Sequence, residues 1–375
     1  MAQSKITNIE VKKNNRNRIY RYICKCKTVS NPDIAYALKL SLPTVLQNTK
    51  ELQESGLIEE AGEFQSTGGR RARALSAAAG HRLAVGLDIT RNHIGMVLTN
   101  LLGDILKYER IHHPYRSGKE YLEETGRKLE EFIEDSPAQR ERILGLGISF
   151  PGIVDLEKKV ISSSHVLDVK ELPFSDIAGN FAYPCYFLND ANAGAYAEGI
   201  HSEGTEPFFY LSLSNTVGGA LYQAGHLMQG KEFRCGEVGH MTLVPGGRPC
   251  YCKKSGCLDA YCSAGRLSDL TDKKLEDFFL GLRQGEQRLV DAWEEYTDYL
   301  SIAVNNIHMV LDCDIILGGY VGSCLEGQIE EIRKKVSARN TFSEDAGFVK
   351  PCRYKTGAAA LGAALQVVEE FIEQV

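Results

Sequence analysis

No run of about 18 apolar residues occurs in the chain, so no membrane span is expected. The opening stretch, MAQSKITNIEVKKNNRNR, lacks the apolar core of a secretory leader. A paired cysteine framework is missing as well. Eleven cysteines, an odd number in a chain of 375 residues with no leader, fit a reducing compartment where thiols stay free or bind metal. A cytoplasmic location is the expectation. No compositional bias marks the chain as disordered or fibrous, since 43% hydrophobic and 25% charged residues are ordinary for a globular protein. The length leaves room for two or three domains.

What is present is unevenly spread. Residues 1–80 carry thirteen Lys and Arg against seven Asp and Glu, a balance of +6, while the rest of the chain stands at −12. A basic head on an acidic body points to a polyanion as partner of the head, although a solvated basic surface would look the same by charge alone.

Patterning separates those two readings. Asn14 to Ile23 reads as a helix, with Ile19 and Ile23 four apart. Ser30 is placed to cap a second helix that has Pro32 in its first turn and runs to Leu38. Ser41 is placed to cap a third, with Pro43 in its first turn, ending near Glu54 ahead of Gly56. Val45, Thr49 and Leu52 share one face, and Thr44, Gln47, Asn48 and Lys50 are expected to point outward. Two short helices joined tightly form the helix-turn-helix pattern. Leu57-Ile58 opens a strand, and Gly62 to Leu75 reads as a hairpin with Gly68-Gly69 at its tip, followed by Arg70, Arg71 and Arg73. That is a wing. The predicted DNA contacts are Ser41, Thr44, Gln47, Asn48, Lys50, Arg70, Arg71 and Arg73, reaching base edges or phosphates. A small protein-binding helical module is the alternative, and caps, wing and charge together favour DNA.

A second feature lies far downstream. The stretch Gly236 to Asp259, GEVGHMTLVPGGRPCYCKKSGCLD, holds His240, Cys250, Cys252 and Cys257, with Pro245-Gly246-Gly247 and Gly256 as turn residues. One imidazole and three thiols at these spacings suit a closed, tetrahedral structural zinc site.

Between and around these features the rhythm is α/β. Strands are predicted at Leu83–Ile89, Ile94–Thr99, Ile105–Ile111, Ile143–Phe150, Cys185–Leu188, Phe208–Leu213 and Ile315–Leu317. Helices are predicted at Tyr121–Ile133, Ala191–Glu198, through much of Leu267–Met309, and from Ala358 to Glu373. Gly218-Gly219 reads as a turn before a return strand through Tyr222. Two halves that each open strand–turn–strand imply an internal structural repeat.

Residues 81–375 resemble the ROK family of sugar kinases and transcriptional repressors, and the head resembles its repressor branch. The matching stretches are Gly145-Leu-Gly-Ile-Ser-Phe-Pro-Gly-Ile-Val-Asp155, Asn189-Asp-Ala-Asn-Ala193, Gly236-Glu-Val-Gly-His240 and Cys250-Tyr-Cys-Lys-Lys-Ser-Gly-Cys-Leu-Asp259. The resemblance implies an α/β architecture: a winged helix-turn-helix (1–80), then an actin-like, hexokinase-type body with a zinc loop. Its first lobe would be 81–195, completed by the C-terminal helix 357–375, and its second lobe 196–356. It implies a Zn²⁺ held by His240, Cys250, Cys252 and Cys257. It also implies a sugar bound between the lobes by Asn189, Asp190, Glu237, His240 and Asp259, groups whose donors and acceptors match vicinal hydroxyls. Two positions depart from the family: Asp259 stands where Glu is usual, and Lys253 where Gly commonly follows the second cysteine.

The family's kinases need glycine-rich phosphate cradles. Here Asp88-Ile89-Thr90-Arg91-Asn92 and Ser214-Asn215-Thr216-Val217-Gly218-Gly219 replace Asp-x-Gly-Gly-Thr and Gly-Thr-Gly-x-Gly-Gly. Asp190 remains in the place of the base. No catalytic role is therefore expected. The expectation is a repressor of carbohydrate-utilisation genes, a homodimer or homotetramer, released from operator DNA when a sugar or sugar phosphate closes the cleft. A sugar kinase and a regulator controlled by a protein partner are the alternatives.

Overall fold

The computed structural model describes residues 8–63, 73–136, 138–200 and 206–375. Arg70, Arg71 and the expected wing tip Gly68-Gly69 lie outside them.

The head is built from α1 (Asn8–Lys25), α2 (Asn31–Leu38), α3 (Leu42–Glu54), β1 (Ile58–Glu63) and β2 (Arg73–Ala77). The Ser30 Oγ accepts from the Asp33 N–H at 3.3 Å and the Ser41 Oγ from Thr44 N–H at 3.3 Å, so both predicted caps close their helices. Lys39, in the left-handed region, ends α2 by donating to Ala35 and Tyr36 carbonyls. Helix α1 starts six residues before Asn14, because its first turns are polar and carry no apolar spacing to read. Val45, Thr49 and Leu52 are buried as expected. Asn48 is a correction: it is buried rather than outward, its amide donating to the Thr44 carbonyl at 2.7 Å, as short polar side chains within helices tend to do.

The body holds two five-stranded sheets of matching plan. The first contains β3 (Leu83–Ile89), β4 (His93–Asn100), β5 (Ile105–His112), β6 (Ile143–Phe150) and β10 (Cys185–Asn189), in the order β10-β6-β3-β4-β5. The second contains β11 (Phe208–Leu213), β12 (Val217–Gln223), β13 (His226–Leu227), β14 (Asp314–Gly318) and β15 (Val349–Pro351), in the order β13-β12-β11-β14-β15. Each is an antiparallel three-strand meander whose first strand pairs in parallel with one later strand, which pairs in parallel with another at the sheet edge. The connections differ. The first half inserts α4 (Lys119–Glu134), a small sheet of β7 (Ile153–Asp155), β8 (Val160–Ser164) and β9 (Val169–Pro173), and α5 (Phe174–Ala178). After β10 comes α6 (Asp190–Ile200). The second half inserts the cysteine loop, α7 (Asp259–Cys262), α8 (Gly265–Ser268), α9 (Leu275–Arg283) and α10 (Gln287–Leu311), then α11 (Gly319–Gly322) and α12 (Ile329–Ser337). Gly218 and Gly219 are a second correction. They sit inside β12, and the turn is Ser214–Thr216; a side chain on Gly219 would strike the Phe209 ring, so packing rather than turning selects glycine there.

Helix α13 (Ala358–Gln374) ties the molecule together. It lies on the first sheet so closely that a Cβ on Gly86 or Gly147 would come within 1.8 Å of the Ala360 or Ala363 carbonyl oxygen. Its far end, with Val367, Val368 and Ile372, shares a core with Ile19, Tyr20 and Ile23 of α1. There the Arg21 guanidinium grips the Glu369 carboxylate through both nitrogens, one at 2.7 Å. Among the described residues no helix is long and apolar enough to cross a membrane.

Candidate functional site

The loop after β13 folds back as its turn residues predict. Gly236 and Gly239 press on β12: a Cβ on either would lie within about 2 Å of the Gly219 or Val217 carbonyl oxygen. That contact fixes the single 3-10 turn Val238–His240. Downstream, Thr242 bridges Cys257 and Pro249 bridges Ser255, which stacks the loop on itself. The donor atoms of His240, Cys250, Cys252 and Cys257 then lie within 4.8 Å of one another. Lys253 takes the left-handed conformation that a glycine would adopt freely, so the turn survives the substitution at some strain. The donor set fits a divalent metal. The His240 Nδ1 is buried without a hydrogen-bond partner, an orphan that coordination would satisfy. Burial pushes the Cys250 thiol up to about 12, the direction that a bound cation would reverse.

A cleft of about 380 Å³ separates the two sheets. Asp190 lies on its wall at the start of α6. Asn189 holds that start in place: its Oδ1 accepts from the Ala191 and Asn192 N–H groups at 2.9 and 3.1 Å, and its Nδ2 donates to the Gly152 carbonyl at 2.8 Å. Burial raises the Asp190 carboxyl to about 6, and the nearby charge of Glu237 adds to it. Burial likewise raises Glu237 and brings Asp259 to about 6, although Val217 N–H donates to the Asp259 Oδ2 at 2.7 Å. Of these expected ligands Asp190 lines the cleft, whereas Glu237, exposed at the surface, and the buried Asp259 lie beside the cysteine loop, Glu237 close enough for its charge to act on Asp190.

Several residues in or near the cleft escaped the sequence reading. Tyr251, between two of the clustered cysteines, places its hydroxyl 3.3 Å from the His240 Nε2 and its ring 5.7 Å from that of His165, which lies in the β8–β9 turn of the other half. Asp88, at the end of β3, accepts from Ser149 Oγ at 2.7 Å and is raised by burial to about 7. Arg110 stands on β5, and its guanidinium lies 5.3 Å from the Tyr320 ring across the cleft. Nothing in the sequence singles out Arg110, because which face of β5 meets the cleft depends on sheet order.

On the head, Ser41, Gln47 and Lys50 are exposed and Thr44 half-buried, all on or just before α3. Gln47 bonds Glu51, and Lys50 pairs with Glu54 at 3.7 Å, both weak surface contacts that DNA can displace. Arg73 pairs with Glu60 across the hairpin. Tyr36, Leu42 and Leu46 are exposed beside them, an apolar set of the kind that meets thymine methyl groups.

Comparison with known proteins follows this division. Residues 84–370 match the profile of the ROK family, and residues 13–59 match that of winged helix-turn-helix DNA-binding domains. The chain is 26% identical over 379 residues to the xylose repressor of Bacillus subtilis (strain 168), covering 97% of each. It is 25% identical over 291 residues to the DNA-binding transcriptional repressor Mlc of Escherichia coli (strain K12), covering 76% of this chain and 71% of Mlc. A solved ROK family transcriptional regulator, a homologue of E. coli Mlc, superposes with a TM-score of 0.79 at 21% identity, over 97% of this chain and 98% of that one. A ROK family glucokinase from Streptomyces griseus, solved with glucose and AMPPNP, superposes with a TM-score of 0.65 at 21% identity, over 75% of this chain and 98% of that one. The body thus has the two-sheet, hexokinase-like actin fold, preceded by a winged helix-turn-helix.

Proposed function

The chain belongs to the ROK family, and we propose that it is a transcriptional repressor of sugar genes whose grip on operator DNA is set by a ligand in the cleft. The observation that carries this reading is α13. Its first turn, at Gly357 to Ala360, lines the cleft, and its last turns seat the DNA-binding head through Arg21 and Glu369. A ligand that changes the angle between the sheets therefore acts on a rod that ends under α1, which is the physical content of linkage between two sites.

In this reading Asp190, Glu237 and Asp259 accept from sugar hydroxyls. Asn189 contributes by holding the start of α6 and by its remaining amide donor. His240 has two roles: one nitrogen joins Cys250, Cys252 and Cys257 on a structural zinc, and Nε2, now facing the Tyr251 hydroxyl, turns to the sugar. The zinc supplies rigidity, fixing the Glu237 and Asp259 backbones against β12. Thr44, Gln47, Lys50 and the arginines of the wing, with Ser41 at the helix start, meet DNA, and two heads of a homodimer or tetramer read paired half-sites.

Phosphoryl transfer fits the cleft poorly. The Thr90 hydroxyl closes the β3–β4 turn onto the His93 carbonyl at 2.8 Å, and Arg91 occupies its apex, where a phosphate cradle needs bare backbone.

The test is an operator-binding titration across pentoses, hexoses and their phosphates. A cognate sugar is expected to weaken operator affinity by roughly 5–150-fold, the range of a typical coupling energy. Asp190→Ala is expected to keep operator binding and lose that response. Operator affinity indifferent to every sugar would sink the reading.

A further inference from the structure

We propose that α3 selects A·T base pairs: Leu42 and Leu46 receive the 5-methyl groups of thymine in the major groove, and Gln47 pairs with adenine. The proposal rests on reading the head as the operator binder and names the base pairs it chooses.

Burial sorts the side chains of α3. Val45, Asn48, Thr49 and Leu52 are buried and pack the head. Leu42, Leu46, Gln47 and Lys50 face water. Leu42 and Leu46 are four residues apart, so they stand one above the other on one face, 42% and 48% exposed. Neighbouring leucines left in water contribute nothing to the fold, and contiguous apolar exposure of this kind marks a contact surface. Ser41 fixes where the helix begins, and with it the direction in which both leucines project. Its Oγ accepts from the Thr44 N–H at 3.3 Å and lies 2.7 Å from the Thr44 Oγ1.

Charge identifies what covers this face. Residues 1–80 carry a net charge of +6, and residues 13–59 match the profile of winged helix-turn-helix DNA-binding domains. Arg18 donates to the Leu38 carbonyl at 3.1 Å, which holds one exposed cation beside the turn into α3. Lys39, at a φ of 54°, places a second in that turn. The acids of α3, Glu51 and Glu54, are confined to its C-terminal half. The N-terminal half, which carries Leu42 and Leu46, is therefore the part that approaches a polyanion, helped by the positive end of the helix dipole.

The groups left free on α3 then decide the base pair. Guanine is read by Arg or Lys, and cytosine by Asp or Glu. Helix α3 contains no arginine. Its one lysine, Lys50, lies beyond the N-terminal turns that meet base edges and pairs with Glu54 at 3.7 Å. Glu51 is held by two cations of α1, Lys12 at 2.6 Å and Arg16 at 3.3 Å, which withdraws it from cytosine. Asn48 is an adenine reader by type, but it is buried. Gln47 remains. It is exposed, has a 3.4 Å contact with Glu51 to release, and its amide matches N6 and N7 of adenine. Thymine adds a methyl to the major groove beside its paired adenine. Two leucines adjoining a glutamine therefore match both members of an A·T pair.

The experiment uses the full-length protein. Duplexes are selected from a random-sequence pool, and the selected site is remade with deoxyuridine in place of thymidine. That exchange deletes the methyl and leaves every hydrogen-bonding atom of the base, so it tests the contact without altering the protein. Affinities are read by fluorescence anisotropy at one salt concentration, because phosphate contacts make them salt-dependent. The expected half-site holds consecutive A·T pairs, and uracil weakens binding by about 4-fold for each methyl contacted. Leu42→Ala and Leu46→Ala should each lose part of that difference, and the double variant should bind both duplexes equally; alanine at these exposed positions preserves the helix. Gln47→Ala should weaken both duplexes alike and keep the methyl difference. A uracil duplex bound as tightly as the thymine duplex overturns the proposal, and so does a double variant with undiminished preference for thymine. Half-sites centred on G·C pairs overturn it while leaving the operator reading intact. A pool that yields no preferred sequence defeats the operator reading and the proposal with it. Leucine variants that bind both duplexes as wild type does, yet lose self-association in sedimentation, assign the face to a second copy of the chain and overturn the proposal.

Discussion

The two sheets of the body are built to one plan and finished differently. In the first, Asp88 pairs with Gly95, and the turn between them is Thr90-Arg91-Asn92. In the second, Ser212 pairs with Gly218 at the same step from the hairpin tip, and the turn is Ser214-Asn215-Thr216. An acid and a cation in one half correspond to hydroxyls and an amide in the other. Insertions diverge further: a small sheet guards the first half, while the second carries helices and the cysteine–histidine loop. Only the backbone plan is duplicated, so chemistry resides in tips and connections while the strands supply geometry.

The largest expected effect comes from breaking the closest packing in the first half. Gly147→Val drives a side chain into the Ala363 carbonyl of α13 and should cost ~3 kcal/mol or more by urea denaturation. Gly219→Ala in the second half meets a movable Phe209 ring in part and should cost less. Equal losses would mean that α13 does not set the first half apart.

Next comes the loop that belongs to the second half alone. Cys257→Ser should reduce bound zinc, measured by elemental analysis, from one ion per chain to a small fraction. It should lower the melting temperature while the operator affinity of the head is retained. Full metal retention would remove Cys257 from the ligand set.

A smaller effect concerns the acid of the first tip. Asp88 is raised from 3.8 to about 7 in the fold, so the native state holds a proton that the unfolded chain releases. Its contribution is complete below about pH 4 and is lost as pH rises towards 7. Asp88→Asn should therefore gain on wild type in stability between pH 5 and 8, checked by denaturation at each pH. A difference between the two proteins that stays constant with pH would contradict the assignment.

The smallest change in stability should come from Arg21→Ala, since the Arg21–Glu369 pair is partly exposed and worth about 1 kcal/mol or less. Its effect on control should be larger: the sugar-induced drop in operator affinity should shrink. The first half, through α13, is where the head is seated, and an undiminished response would show that the coupling bypasses this pair.

Local signals made much of this legible in the sequence. Ser30 and Ser41 announce their helices because capping needs only three residues of chain, and the cysteine cluster is readable because its ligands lie within one loop. Apolar runs located most of the strands. Features fixed by distant backbone were hidden. Gly218-Gly219 looks like a turn until Phe209 is known to lie against it, and Asn48 looks exposed until the helices are packed. Arg110, Tyr320 and Tyr251 acquire meaning only when sheet order brings two halves face to face.

The Arg21–Glu369 clasp joins residues 348 positions apart. During synthesis the head leaves the ribosome first and can form its three helices at once, since their contacts are local. Its platform exists only after α13 has emerged and threaded onto the first sheet. Newly made chains therefore pass through a period in which a folded DNA reader hangs unoriented from an incomplete body. The seat that orients the head on the body is therefore among the last parts of the fold to form.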